Sequence, residues 1–245
     1  MTVLHCVVYN LGPAGDRIDP RGSADREIRA LLADHPAILA LSEAIGYRLP
    51  GVKGYRRLRD ASRPGRANIA AYVRDDLPVT RVRWHDMRRT WPRTEHPGTH
   101  PARSWLEFRA GEVQVLVGHQ PPKLPQSIPF ANFIVTEGQM EGIRLLQRRM
   151  APWRRNIFWN KLVLRRTKAR PRIALADWNR RPGEDGWGPS RLAELIDGNV
   201  VGGRIDCAVV RNLVCVSAEY RAMFAGVRLG SDHKEAFTFA AVPRS

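Results

Sequence analysis

The sequence predicts a mixed α/β fold whose sheets are not all parallel. Three observations predict it. Short apolar runs of strand length recur along the whole chain, segments with helical spacing fall between some of them, and two neighbouring runs are joined by a tight turn, which only antiparallel strands allow.

The strand-like runs are Val3 to Val8, Ala37 to Leu41, Ile69 to Val73, Trp105 to Phe108, Val113 to Val117, Ile173 to Ala176, Ile205 to Val210, Leu213 to Val216 and Ala236 to Val242. Several are rich in Val and Ile, which fit a pleated, half-buried surface. Ala110-Gly111 reads as the hairpin turn between two of them. One helix is expected from a cap at Ser23, with Ile28, Leu31 and Leu32 at helical spacing. A second starts near Thr136 and carries Met140, Ile143, Leu146 and Met150, and a third runs from Pro189 through Leu192, Leu195 and Ile196. Residues 84–104, with prolines and three histidines, and residues 119–129, with four prolines, read as surface loops. No repeat, low-complexity tract or linker interrupts the 245 residues, so one domain over 1–245 is expected.

With 43% apolar and 26% charged residues, the chain can bury a core without disulfides or a structural metal. Its net charge is +16, from 40 Lys plus Arg against 24 Asp plus Glu. Such a surface attracts polyanions, and nucleic acid is the commonest of these. Of the 40 cations 35 are Arg, a ratio that GC-rich coding explains in large part; the excess of charge it does not. Cys6, Cys207 and Cys215 lie in apolar runs without a Cys-x-x-Cys spacing, and read as buried free thiols of a reducing compartment. No run is long enough to span a membrane, and the chain opens on a strand-like stretch rather than a signal peptide. A cytoplasmic protein with no obligate protein partner is expected.

The chemistry is carried by what ends the strands. The first run ends in Tyr9-Asn10, the second in Ser42-Glu43, a later one in Gly118-His119, and another in Asp177-Trp178-Asn179; Ser231-Asp232-His233 precedes the last. Ligands of α/β folds gather where strand ends converge. Each residue alone has an ordinary explanation as a turn cap or a solvated charge. Acids, amides and two histidines together suit a cation with an acid/base pair.

This order of motifs resembles the endonuclease/exonuclease/phosphatase superfamily, which includes deoxyribonuclease I, the exonuclease III type endonucleases, inositol polyphosphate phosphatases and sphingomyelinases. Asn10 matches the family's first strand end, Ser42-Glu43 its Gln-Glu metal motif, and His119-Gln120-Pro121 its His before a proline-containing loop. Ala176-Asp177-Trp178-Asn179 matches Gly-Asp-x-Asn, Ile205-Asp206-Cys207 the late strand opened by Asp, and Ser231-Asp232-His233 is the terminal Ser-Asp-His unchanged. The likeness spans residues 3 to 242. Ser42 for Gln, Ala176 for Gly and Asn68 before the third strand depart from the pattern without removing a titrating group.

The resemblance implies a four-layer α/β sandwich, with two mixed β-sheets packed face to face and helices outside. It also implies hydrolysis of phosphodiester bonds with Mg2+ or Mn2+. Glu43 would be the main ligand, with Asp232 second and Asn10 assisting. His233, oriented by Asp206, would be the base, with Asp177 its rival; Asn179 and His119 would donate hydrogen bonds to phosphoryl oxygens or the leaving group. A hard cation neutralises the anionic diester, and His is the side chain whose ordinary pKa lies nearest neutrality.

From Gly142 to Ala176 there is no acid, while Arg154, Arg155, Arg165 and Arg166 stand among other cations, with Trp153, Phe158 and Trp159 interleaved. Charge with aromatics suits DNA or RNA binding; a solvated helix face is the plain alternative. His85, His96 and His100 sit among prolines with no cysteine, which disfavours zinc. No phosphate-binding Gly-x-x-x-x-Gly-Lys loop is present, which disfavours nucleotide-driven motors. The functional readings are a nuclease, a phosphatase or phosphodiesterase on a small or lipid-linked phosphate, or a non-catalytic nucleic-acid binder on a nuclease scaffold.

Overall fold

A computed structural model of the protein describes residues 3–12, 14, 20–60, 62, 68–86, 104–119, 171–179, 181–184 and 188–244. In chain order the elements are β1 (Leu4–Asn10), α1 (Pro20–Ala33), β2 (Ile38–Ser42), β3 (Tyr55–Leu58), β4 (Ile69–Arg74), β5 (Val79–Asp86), β6 (Ser104–Ala110), β7 (Val113–His119), β8 (Arg172–Asp177), α2 (Pro189–Ile196), β9 (Asn199–Val201), β10 (Asp206–Arg211), β11 (Leu213–Arg221), β12 (Met223–Phe224), β13 (Val227–Arg228) and β14 (Ala236–Pro243).

Two six-stranded sheets result, in the orders β11-β14-β1-β2-β4-β3 and β5-β6-β7-β8-β10-β9. Each has one parallel pair at its centre, β1 with β2 and β7 with β8, and antiparallel neighbours on both sides. In the central strands β2 and β8 every residue is buried, as expected of strands covered on both faces.

Alternation along the strands builds the layers. Val113, Val115 and Val117 of β7 point the same way, and they share one apolar core with Cys6 and Val8 of β1, Ile173 and Leu175 of β8, and Phe237 and Phe239 of β14. That core lies between the sheets. The opposite face of the first sheet, with Val7, Tyr9, Leu39 and Tyr72, packs on Ala24, Ile28 and Leu31 of α1. Helix α2 packs on β9 and β10 of the second. The order helix, sheet, sheet, helix is the four-layer sandwich. Phe237 and Phe239 stack with ring centroids 5.6 Å apart, and each buried aromatic of this kind contributes about 1.5–3 kcal/mol of apolar burial.

A close approach supports the end of β7. A Cβ on Gly118 would lie 2.3 Å from a ring carbon of the buried Trp105. Trp105 in turn packs on Trp178, with ring centroids 5.5 Å apart. We expect Gly118→Ala to cost about 1–3 kcal/mol through overpacking, lowering Tm by roughly 2–10 °C. A thermal melt with unchanged Tm would show that the indole moves aside freely.

Several expectations need correction. Helix α1 begins at Pro20, so Ser23 lies inside it rather than capping it; proline suits the first helical position, where its missing N–H is not needed. Trp84, His85 and Asp86 are the end of β5, paired with Leu106, Trp105 and Ser104, so both ends of the loop expected at 84–104 belong to strands. Cys6 and Cys207 are buried, but Cys215 is exposed, because β11 is an edge strand. Strands β3, β5, β9, β12 and β13 were not expected. The turn at Gly111 and Glu112 does join antiparallel β6 and β7, and α2 spans Pro189–Ile196 as its spacing predicted. The helix expected near Thr136, the loop after His119, and the basic stretch with Arg154, Arg155, Arg165 and Arg166 lie outside the described residues, apart from Arg172 and its neighbours in β8. No described helix is long and apolar enough to cross a membrane.

Candidate active site

The register of the two parallel pairs places the chemistry. Asn10 stands beside Ser42 at the end of β1 and β2, and His119 beside Asp177 at the end of β7 and β8. Asp206, the first residue of β10, lies opposite Asp177. Both sheets therefore deliver polar residues to one edge of the sandwich. Two turn residues adopt the left-handed conformation there without being glycine, Glu43 at φ 54° and Asn179 at φ 48°. Strain of this kind persists where the surroundings over-determine it.

Asp177 is the hub. Its Oδ2 accepts a hydrogen bond from Asn10 Nδ2 at 2.7 Å and lies 3.4 Å from His119 Nε2 and 3.9 Å from His233 Nε2. Its Oδ1 accepts from the backbone N–H of Asn179 at 2.8 Å. Nδ1 of His233 donates to Asp206 Oδ2, and Nε2 of the same ring is 3.4 Å from Asn10 Nδ2. His119 Nε2 is also 3.7 Å from Glu43 Oε1, while its Nδ1 is 3.0 Å from Asn68 Nδ2.

The electrostatics follow from burial and crowding. Burial, and then the charge of Asp206, push the Asp177 carboxyl up to about 6, against the pull of His233. Burial alone would lower His233; its bond to Asp206 and the charges of Asp206, Asp177 and Asp232 outweigh that and raise it to about 9. Burial likewise raises Asp206, on which the charges of Asp232 and Glu43 also act.

The donor set fits a hard divalent cation. Asp177, Asp206 and His233 each offer an atom within 4.8 Å of the others'. Oδ1 of Asp206 is buried without a hydrogen-bond partner. Gly12, at φ +71°, leaves room for Asp232, whose Oδ1 is 2.9 Å from where a Cβ would sit. Crowded oxygens of this type are what Mg2+ takes as ligands. The oxygen of Asn10 accepts from Gly12 N–H at 2.7 Å, so its NH2 faces Asp177 and it acts as a donor.

Of the residues expected at the site, Asn10, Glu43, His119, Asp177, Asp206 and His233 are linked by these contacts. Asn179 joins through its backbone, and Asp232 lines the groove beside Asp206 and His233. The four arginines from Arg154 to Arg166 lie outside the described residues.

Sequence reasoning missed three supporting residues. Asn68 contacts His119. Tyr9 donates to Glu27 at 2.6 Å, and its oxygen accepts from Ser231 N–H at 3.3 Å. Glu27, buried on α1, also accepts from Gly230 N–H at 3.1 Å. Glu27 and Tyr9 thus anchor the loop that carries Ser231, Asp232 and His233. An acid on the apolar face of α1, beside Ala24, Ile28 and Leu31, was the available signal. We expect Glu27→Ala to lower turnover by about tenfold or more while Glu27→Gln, which keeps an acceptor, restores most of it; equal turnover in Glu27→Ala and the parent would show that the loop holds itself.

No family model matches the chain, and no curated protein matches it. Solved structures do. A protein of the endonuclease/exonuclease/phosphatase type from Beutenbergia cavernae superposes with TM-score 0.59 at 13% identity, over 100% of this chain and 72% of that one. TDP2 of D. rerio, solved with a single-strand DNA product, gives TM-score 0.59 at 10% identity, over 99% and 100%. A family protein from Leptotrichia buccalis gives 0.53 at 11%, over 99% and 100%. With its two mixed sheets, its outer helices and its polar edge, the chain has the endonuclease/exonuclease/phosphatase fold and is a divergent example of it.

Proposed function

We propose that the protein is a divalent-metal-dependent phosphodiester hydrolase acting on nucleic acid. The observation that carries this is the convergence of Asn10, Glu43, His119, Asp177, Asp206 and His233 on one edge of the sandwich. Glu43 and Asp232 would hold Mg2+ or Mn2+, with the carboxylates of Asp177 and Asp206 close by. When bound, the cation would withdraw charge from the phosphoryl oxygens.

The chain's own groups do the rest. Asp206 holds the proton at His233 Nδ1 and so fixes the ring, leaving Nε2 to exchange a proton with the reacting oxygen. Asp177 Oδ2, 3.9 Å from that nitrogen, is a second acceptor for the same proton. His119 and Asn179 would donate hydrogen bonds to the phosphoryl oxygens or the leaving group, while Asn10 holds the carboxylate of Asp177 in place. Preorganised donors of this kind are worth about 3 kcal/mol each.

The net charge of +16 supports a polyanionic substrate, as does the composition of 142–172, in which Arg154, Arg155, Arg165 and Arg166 would contact phosphates. The single-strand DNA product held by the D. rerio protein agrees in kind. The test is hydrolysis of supercoiled plasmid, linear duplex, single-stranded DNA and RNA by purified protein, with Mg2+, with Mn2+ and in EDTA. Metal-dependent cleavage of at least one of these is expected. Cleavage of none, or full cleavage in EDTA, would overturn the reading.

A further inference from the structure

Two grooves flank His233, and their charges differ. The smaller, of about 240 Å³, is walled by Asp206, Asp232 and Glu235 against Arg181 and Arg204. It lies on the side of the acids already described. The larger, of about 610 Å³, is walled by Arg204, Arg228 and Lys234 against the single acid Glu235. His233, Arg204 and Glu235 belong to both, and so form the ridge between them.

The ridge is built rather than incidental. Tyr220 Oη accepts from the backbone N–H of Arg204 at 2.8 Å and of Gly203 at 3.2 Å, and donates to Asp206 O at 2.8 Å. The Arg204 guanidinium lies over the Tyr220 ring, 4.7 Å from its centroid, and forms an ion pair with Glu235. The position of Arg204 is thereby tied to the strand that begins with Asp206. Across the larger groove Arg228 and Lys234 are exposed, and among the described residues neither makes an ion pair. The floor between them includes Ala222 and the buried Leu229.

Three cations, of which Arg228 and Lys234 stand outside any ion pair among the described residues, around an apolar floor suit a ligand that is both anionic and flat-faced, which a nucleotide is. We infer that the larger groove is a strand-binding subsite, in which Arg204, Arg228 and Lys234 contact the phosphates of the nucleic-acid strand on one side of the scissile phosphate and the Ala222–Leu229 floor faces a base or sugar. This deepens the proposed function and rests on it for the position of the scissile phosphate. The strand approaches His233 from the basic side, and the acidic groove faces the opposite flank.

The test separates binding from chemistry. Fluorescence anisotropy of a labelled single-stranded DNA oligonucleotide is measured in EDTA over a range of salt concentrations. The triple variant Arg204→Gln, Arg228→Gln, Lys234→Gln is compared with the parent. So is a control of equal charge, Lys53→Gln, Arg74→Gln, Arg244→Gln, at the opposite end of the sheets. The groove variant should bind about tenfold more weakly or worse, and its log–log salt slope should be shallower by about 2, the value for three contacts to a single strand. The control should move by less than about twofold, as diffuse attraction alone allows.

Arg228→Glu alone should weaken binding in the same direction. Parent-like binding by the groove variant, an equal loss in the control, or no binding by the parent at low salt would each overturn the subsite. If the parent binds in the expected way but cleaves no substrate with Mg2+ or Mn2+, the hydrolase reading falls and the subsite stands.

Discussion

Turnover of the Asp206→Asn variant is expected to fall about a thousandfold or more, while substrate binding changes little. His233 donates its Nδ1 proton to Asp206 Oδ2, and that bond sets which face of the ring carries a usable nitrogen. Asn can hold the ring through its own NH2, which selects the wrong tautomer, and such a change is worth roughly 10^3–10^4 in rate. In the proposed function His233→Ala would remove the exchanging group outright, worth roughly 10^2–10^4. The two residues act as one unit, so their losses should not multiply. A double-mutant cycle on kcat, with thermal melts to show that each variant folds, measures this. Multiplicative losses would mean that Asp206 and His233 work separately.

Glu43→Gln is expected to be as severe and to be mimicked by EDTA. The side chain is close to His119 Nε2 and stands on a left-handed turn residue at the end of β2. The substitution keeps the size of the side chain and removes the charge that, in the proposed function, would be the main ligand of a hard cation. A Lewis-acid contribution of several kcal/mol, at about tenfold per 1.4 kcal/mol, comes to about a thousandfold. Calorimetric titration with Mg2+ should show weaker binding to Glu43→Gln than to the parent. Parent-like Mg2+ affinity in the variant would move the cation away from Glu43 and toward Asp177 and Asp206.

Much of this was legible because it is local. Strand runs such as Val113 to Val117 and Ile173 to Ala176 declare themselves by β-branched content, and the polar residue that ends each run is visible beside it. What was not legible depends on partners far apart in the chain. Asn68 meets His119 across 51 residues, and Glu27 meets Gly230 across 203; the apolar neighbours of Glu27 mark it as a buried acid, but nothing near either residue names its partner. The same holds for the amide orientation of Asn10, which is set by Gly12 and by Asp177, 167 residues away. Strand β3, read Tyr-Arg-Arg-Leu, was hidden because an edge strand carries exposed cations where a central strand carries Val or Ile. Strand β5 was hidden in part because its last residues run straight into a stretch rich in proline.

One feature of the architecture bears on all of these expectations. Asn10 with Asp177, Asn68 and Glu43 with His119, and His233 with Asp206 are each a pairing of a residue in or next to a strand of the first sheet with one in a strand of the second. The reactive groups are the tips of a caliper, and its opening is set by the thickness of the apolar filling between the jaws. Phe108, Val115 and Phe239 belong to that filling. Shaving volume from any of them would narrow or tilt the gap at the far edge, so a residue with no polar atom would register in the rate of a reaction it never touches.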